Sequence, residues 1–213
     1  MSSFRDAWQT AWSALGSQPD PALFARLLAA YAEPHRRYHT LQHLQECLDH
    51  LQPALGLAAH PGEVALALWF HDAVYAVDRH DNEPQSADWA RQVVLAAGVA
   101  PAVGARIQAL ILATRHAALP STPDEGLLVD IDLAILGAAP GRFDDYERQV
   151  REEYAALPEA LFRSRRQAIL EGFLRRPTLF STAFFRERLE VPARANLQRS
   201  IARLQAGSGD APA

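Results

Sequence analysis

The stretch V-A-L-A-L-W-F-H-D-A-V-Y, residues 64–75, decides the fold class. Residues 64–70 are apolar on every side, which is typical of a helix at the centre of a bundle rather than one on its surface. The stretch then places His71 beside Asp72, two groups whose burial is costly unless something pairs with them. It therefore predicts a central buried helix and raises the question of what its last two polar side chains bind.

The rest of the chain repeats the helical period. Asp20 and Pro21 are typical of a helix start, and Thr40 is a typical cap for L-Q-H-L-Q-E-C-L-D-H-L. Apolar periodicity predicts further helices over residues 84–97, 101–116, 127–136, 143–156, 159–174 and 193–204. No segment alternates as a strand does. We therefore predict an all-α fold, a single-domain helical bundle over residues 1–205 with a flexible C-terminal tail over residues 206–213.

Composition narrows the class of protein. The 213 residues carry a net charge of -4, so dedicated nucleic-acid binding is not expected. The N-terminus lacks a signal-peptide pattern, and no apolar run reaches about 18 residues, the length that suggests a membrane span. The single cysteine, Cys47, lies among leucines and predicts a small buried side chain in a reducing compartment. We expect a cytoplasmic protein with no membrane partner, and a homodimer is one possible assembly.

Two other apolar segments carry polar side chains that should face inward. His39 and His43 are four residues apart in Y-H-T-L-Q-H-L, and His43 falls among the core leucines. Asp130 and Asp132 lie within L-L-V-D-I-D-L-A-I-L-G. Because buried imidazoles and carboxylates need partners, a metal ion is the simplest ligand that all three segments could share. Two imidazoles with two carboxylates suit Mn, Fe, Ni, Co, Zn or Mg better than an ion that prefers thiolates.

The pattern H…HD…D in a helical chain resembles the HD superfamily of metal-dependent phosphohydrolases, and in particular a branch of short predicted phosphohydrolases. The blocks that carry the resemblance run from Glu33 to Leu197: E-P-H-R-R-Y-H-T-L-Q-H-L, F-H-D-A-V-Y, D-N-E-P-Q-S-A, I-L-A-T-R-H, D-I-D-L-A-I-L-G, V-R-E-E-Y and A-R-A-N-L. The resemblance implies an HD-type helical bundle and favours the second aspartate of D-I-D as the ligand. The metal ligands that it implies are His43, His71, Asp72 and Asp132.

The resemblance also implies an activity, the hydrolysis of a small phosphate ester of the nucleotide kind by a water molecule that a divalent metal ion activates. One ion is expected, and a second is compatible with the family. Glu83 and His116 are the candidate proton-transfer residues. Glu83 equally suits the start of a helix, and His116 equally suits the end of one.

Three residues are candidates for binding the substrate: Arg36, His39 and Arg194. Arg36 could hold a phosphate through two hydrogen bonds, or it could form a surface ion pair. His39 lies close to the first ligand in the sequence. Arg194 belongs to A-R-A-N-L and either closes the site or packs the fold.

Two other functions fit the same residues. A di-iron HD-type oxygenase needs two further histidines, for which His80 and His116 are candidates. A non-catalytic sensor would bind a nucleotide without turnover, but it would not need a complete set of metal ligands.

Overall fold

A computed structural model describes residues 4–206 of the chain. Over these residues it contains ten α-helices, two short 3-10 helices at Leu55–Leu57 and Leu133–Gly137, and no strand, which confirms the all-α prediction. The α-helices are α1 (Phe4–Ala14), α2 (Leu23–Tyr31), α3 (Leu41–Ala54), α4 (Pro61–Phe70), α5 (Asn82–Ala96), α6 (Pro101–Ala113), α7 (Pro123–Asp132), α8 (Pro140–Glu153), α9 (Glu159–Leu174) and α10 (Ala183–Ala206). Within the described part of the chain, none of these helices has the length and apolar character needed to span a bilayer.

The chain divides into two compact units, one up to Asp132 and one from Leu133 onward. The first contains α1 to α7, and the second contains α8 to α10 with the 3-10 helix that precedes them. The prediction of one domain over residues 1–205 stays a prediction. Residue 206 still belongs to α10, and residues 207–213 of the predicted tail lie outside the described residues.

Helix α4 is the buried centre of the first unit. Leu66, Leu68, Trp69 and Phe70 have no exposed surface. The helix packs against α1, α3, α5, α6 and α7, so its apolar surface is covered on all sides. The doublet follows directly at its C-terminal end, which carries the two polar side chains into the interior of the unit.

Helix α1, which the sequence analysis did not predict, covers one side of α4. The ring of Trp8 lies 5.2 Å from the ring of Trp69 in an edge-to-face arrangement. The two backbones come close because residue 62 is glycine: a Cβ there would lie 2.7 Å from the Cβ of Ala14. This contact fixes the beginning of α4, at the end of the helix opposite the doublet.

Several helix starts differ from the prediction: α5, α7 and α8 begin two, four and three residues earlier than predicted, and α2 and α10 also differ. Helix α2 starts at Leu23 rather than Pro21, because the Asp20 carboxylate accepts a hydrogen bond from the Ala22 N–H and forms a turn before the helix. Helix α10 starts at Ala183 and continues through Pro192, where the sequence predicted a helix only from residue 193. A proline inside a helix loses one backbone hydrogen bond.

The second unit is closed by contacts between α10 and the 3-10 helix Leu133–Gly137. The Asn196 side-chain amide donates to the carbonyl oxygens of Leu136 and Ala138 at 2.8 and 2.9 Å. A Cβ at Gly137 would lie 2.6 Å from the Cβ of Leu189, so only glycine fits at this crossing. The block A-R-A-N-L therefore contributes Asn196 to the packing of this unit.

Candidate metal centre

Four side chains with metal-binding atoms come together in the first unit: His43, Cys47, His71 and Asp132. Each offers one ligand atom, and these four atoms lie within 4.8 Å of one another. The two histidines and the cysteine are buried, and the aspartate is partly exposed. This group could bind a metal ion.

Asp72 approaches the same point. The Nε2 atom of His43 lies 3.1 Å from His71 Nε2, 3.4 Å from Asp72 Oδ2 and 3.2 Å from Asp132 Oδ1. The Nε2 atom of His71 lies 3.0 Å from Asp72 Oδ2 and 3.6 Å from Asp132 Oδ1. Atoms that each lie about 2.1 Å from one ion are separated by about 3.0 Å in octahedral and about 3.4 Å in tetrahedral coordination. The five distances above lie close to these values, so their spacing is compatible with one shared ion.

His71 presents the nitrogen that a metal needs. Its Nδ1 atom lies 2.7 Å from the carbonyl oxygen of Leu68, so Nδ1 carries the proton and donates this hydrogen bond. The lone pair of Nε2 is then left to face His43, Asp72 and Asp132. Metal-binding histidines usually donate their second ring nitrogen in this way, which fixes both the tautomer and the orientation of the ring.

The pKa values in the cluster reflect two carboxylates that lie close to buried imidazoles. Burial opposes the charged form of His43, but Cys47, Tyr38 and the two carboxylates together raise the pKa of His43 well above its usual range. Burial likewise opposes the charged form of Asp72, yet the neighbouring histidines, His71 first among them, hold the pKa of that carboxyl well below its usual range. Asp132 behaves in the same way. Burial raises its pKa, but hydrogen bonds from His116 and His43 have the larger effect, so the pKa lies well below its usual range. The site therefore contains two ionised carboxylates in a buried place, which a metal ion would neutralise.

Cys47 lies close to both ring nitrogens of His43. Its Sγ atom is 3.7 Å from His43 Nε2 and 3.8 Å from His43 Nδ1. Burial raises the pKa of the thiol, although His43 opposes this. Cys47 is buried, as its position among leucines predicts.

His116 contacts the cluster from the far side of Asp132. Its Nε2 atom lies 3.1 Å from Asp132 Oδ2, while Oδ1 of the same carboxylate faces His43 and His71. His116 follows the end of α6 and has a backbone φ of 53°, in the left-handed region that residues other than glycine rarely adopt. Such conformations concentrate at functional sites, where surrounding contacts maintain them.

The other predicted proton-transfer residue, Glu83, lies in the first turn of α5 and is half-buried. Within residues 4–206 its carboxylate has no hydrogen-bond or ion-pair partner. The structure therefore brings His116, but not Glu83, into contact with one of the candidate ligands, Asp132. A catalytic role for either residue stays a prediction.

The block D-N-E-P-Q-S-A has a role that the sequence analysis missed. The Asn82 side chain accepts from the Ala76 N–H at 3.1 Å and donates to the Ala76 carbonyl at 2.9 Å. The Ser86 hydroxyl accepts from the Val74 N–H at 2.9 Å. Asn82 and Ser86 are four residues apart on one helix face, and this spacing was the available signal. The two side chains hold the backbone that follows the doublet.

Arg36 is a buried residue, 3% exposed, and its nitrogen atoms already have partners. Nε donates to the Glu33 carboxylate at 3.1 Å, and Nη1 donates to the carbonyl oxygens of His39 and Asp72 at 3.1 and 2.6 Å. Nη2 donates to the carbonyl oxygen of Ala73 at 3.2 Å. A phosphate group could bind Arg36 only by displacing these contacts, and its role in substrate binding stays a prediction.

The remaining candidates for substrate binding or for a second metal ion are His39, His80 and Arg194, and they lie in three separate places. The ring of His39 lies 6.1 Å from the ring of His43, a candidate ligand, and stacks on the ring of Tyr75 with centroids 4.1 Å apart. His80 is exposed in the loop between α4 and α5. Arg194 belongs to the second unit, where its guanidinium donates to the Glu190 carboxylate and to the carbonyl oxygens of Leu174, Arg176 and Pro177.

Comparisons with known proteins returned no family model, no curated protein and no solved structure that matches this chain.

Proposed function

We propose that this protein is a metal-dependent phosphohydrolase that acts on a small phosphate ester of the nucleotide kind. The observation that carries the proposal is the convergence of two imidazole nitrogens and two carboxylate oxygens at separations of 3.0 to 3.6 Å. The choice of phosphate ester hydrolysis rests on the motifs that resemble the HD superfamily.

The protein's own residues would hold the ion. His43 and His71 would bind it through Nε2, Asp72 through Oδ2 and Asp132 through Oδ1. A divalent ion held there would polarise a phosphoryl oxygen and lower the pKa of a water molecule. The mixed nitrogen and oxygen donors suit Mn, Fe, Ni, Co, Zn or Mg.

His116 is the stronger candidate for proton transfer. Its side chain is 22% exposed, so solvent and a substrate can reach it, and its Nε2 atom already shares a proton with Asp132 Oδ2. From this position it can hold a proton for a leaving oxygen and keep Asp132 turned toward the ligand set. Glu83 is the second candidate, because its half-buried carboxylate is not committed to another side chain within residues 4–206.

The first test is the metal content of the purified wild type beside Asp72→Ala. We expect about one divalent ion per wild-type chain and none in the variant, because a site that loses one ligand binds its metal far more weakly. Asp78→Ala is the matched control, since it removes the same charge from an exposed position in the loop that follows. Absence of metal from the wild type, even after soaking in Mn, Ni, Fe and Zn, would refute the proposal.

The second test is the release of inorganic phosphate from a panel of nucleotides. We expect the wild type and Asp78→Ala to hydrolyse at least one of them, and His71→Ala and Asp72→Ala to hydrolyse none. Two irons per chain together with a visible absorption band would instead favour the di-iron oxygenase. Stabilisation by a nucleotide without turnover would favour the sensor.

A further inference from the structure

We propose that Tyr31 and Arg36 form a clamp that positions Asp72 relative to His43, so that the geometry of the metal centre depends on two residues that are not ligands. This inference rests on the proposed metal centre. It assigns to Arg36 a positioning role in place of direct contact with a substrate.

Asp72 needs such support because it lies beyond the end of a helix. Helix α4 ends at Phe70, and the carbonyl groups of a last helical turn have no partners within the helix. The peptide groups on either side of the Asp72 side chain are instead bonded by side chains from α2 and from the segment that follows it. The backbone N–H of Asp72 donates to the Tyr31 hydroxyl at 3.3 Å, and its carbonyl oxygen accepts from Arg36 Nη1 at 2.6 Å.

Arg36 links the two segments that carry the histidine ligands. The same Nη1 atom that bonds the Asp72 carbonyl also donates to the carbonyl oxygen of His39 at 3.1 Å. His39 leads directly into α3, whose first turn contains His43. One nitrogen atom thereby sets the separation between the start of α3 and the end of α4. The cation also suits this place, because a helix C-terminus carries partial negative charge.

The guanidinium plane is itself held firmly. Arg36 lies near the faces of two aromatic rings, 5.3 Å from the ring centroid of Tyr31 and 5.5 Å from that of Tyr75. Its Nε atom bonds the Glu33 carboxylate, which offsets the buried positive charge. A planar group with several fixed donors can hold three carbonyl oxygens at once, and the single ammonium of lysine on a flexible chain cannot.

Tyr31 is the second arm of the clamp. Its hydroxyl donates to the carbonyl oxygen of Trp69 at 3.2 Å and accepts from the Asp72 N–H, so it joins the last turn of α4 to the doublet. Tyr31→Phe removes this one oxygen and keeps the buried ring. It is therefore a milder test than a change at Arg36.

The experiment compares Co²⁺ binding by the wild type, Tyr31→Phe, Arg36→Lys and Arg106→Lys. Affinity is measured against a competing chelator, coordination by the visible absorption of bound Co²⁺, and stability by thermal unfolding of the metal-free proteins. Arg106→Lys is the matched control. Arg106 forms a two-point ion pair with Glu63, which lies at the end of α4 opposite the doublet. We expect Tyr31→Phe and Arg36→Lys to bind Co²⁺ about 10-fold or more weakly, as for other residues that orient metal ligands, with a changed spectrum. Arg106→Lys should keep the affinity and spectrum of the wild type, even where it lowers thermal stability.

Each outcome decides between the clamp and the metal centre. A wild type that binds Co²⁺ and folded clamp variants that bind it equally well would overturn the clamp and leave the metal centre standing. A wild type that binds no Co²⁺ would overturn both. An equal loss of affinity in Arg106→Lys would show that affinity follows stability, which also overturns the positioning role. If Arg36→Lys does not fold, Tyr31→Phe alone decides.

Discussion

In the proposed metal centre, His43 links metal binding to pH. Cys47, Tyr38 and the cluster carboxylates outweigh the effect of burial and raise the pKa of His43 well above its usual range. Below that raised pKa the imidazole is protonated in the metal-free protein, and only the unprotonated Nε2 can bind a metal. We therefore expect metal binding to release protons and the affinity to increase with pH until the raised pKa is passed. Calorimetry in two buffers with different ionisation enthalpies measures this release, and identical heats in both buffers would contradict the prediction.

His116 combines a backbone strain with a contact to Asp132. Its φ of 53° is unfavourable for any residue with a Cβ, so His116→Gly should be more stable than His116→Ala by about 1 kcal/mol. Both variants lose the hydrogen bond to Asp132, so both should bind the metal equally weakly. Urea unfolding measures the difference in stability, and chelator competition measures the affinity. Equal stability of the two variants would mean that the backbone leaves the left-handed region once the imidazole is removed.

At the scale of elements, the crossing of α1 and α4 depends on one glycine. A Cβ at Gly62 would lie 2.7 Å from the Cβ of Ala14, closer than two non-bonded carbon atoms can pack, so Gly62→Ala must separate the two helices. We expect a loss of about 1–3 kcal/mol in the free energy of unfolding, the usual cost of overpacking. Gly56→Ala is the control, because a Cβ at Gly56 would have no neighbour within 4 Å. Denaturant unfolding of both variants checks the prediction, which fails if Gly62→Ala is as stable as Gly56→Ala.

The beginning of α4 shows why the first residue of a helix is harder to predict from the sequence than the presence of the helix. The Asp124 carboxylate accepts hydrogen bonds from the backbone N–H groups of Ala59 and His60 at 2.7 and 3.0 Å, although it is 65 and 64 residues away. A cap supplied from α7 leaves no local signal in the sequence before Pro61. Apolar periodicity nevertheless predicted most of the helices, because burial of one helix face is a local pattern.

For the whole molecule, metal binding should appear as stability. A ligand that binds only the folded state at 100 times its dissociation constant raises the free energy of unfolding by about 2.7 kcal/mol. We expect this increase when the wild type is titrated with the preferred metal and followed by the helical circular dichroism signal. Asp72→Ala should show none of it and Asp78→Ala all of it. Equal stabilisation of Asp72→Ala would mean that the metal binds elsewhere.

The candidate ligands could be predicted from residue type and surroundings. His43, His71, Asp72 and Asp132 are polar groups within apolar helical segments, and such groups need a partner. The supporting residues could not be predicted in the same way. The sequence suggests a surface arginine at position 36, next to Arg37, yet Arg36 is buried, and two of its hydrogen-bond partners lie 36 and 37 positions further along the chain. Asn82 and Ser86 likewise read as an ordinary polar helix start.

The sequence by itself determined that this chain is helical, that α4 is central and which side chains in apolar segments need a partner. These properties depend on the spacing of apolar residues over a few turns, which is visible within each segment. The tertiary structure alone decided that the candidate ligand atoms approach one another at 3.0 to 3.6 Å and that Tyr31 reaches Asp72 across 41 residues of chain. Those contacts join helices that are distant in sequence, so they exist only after the apolar faces have packed and set the distances between them.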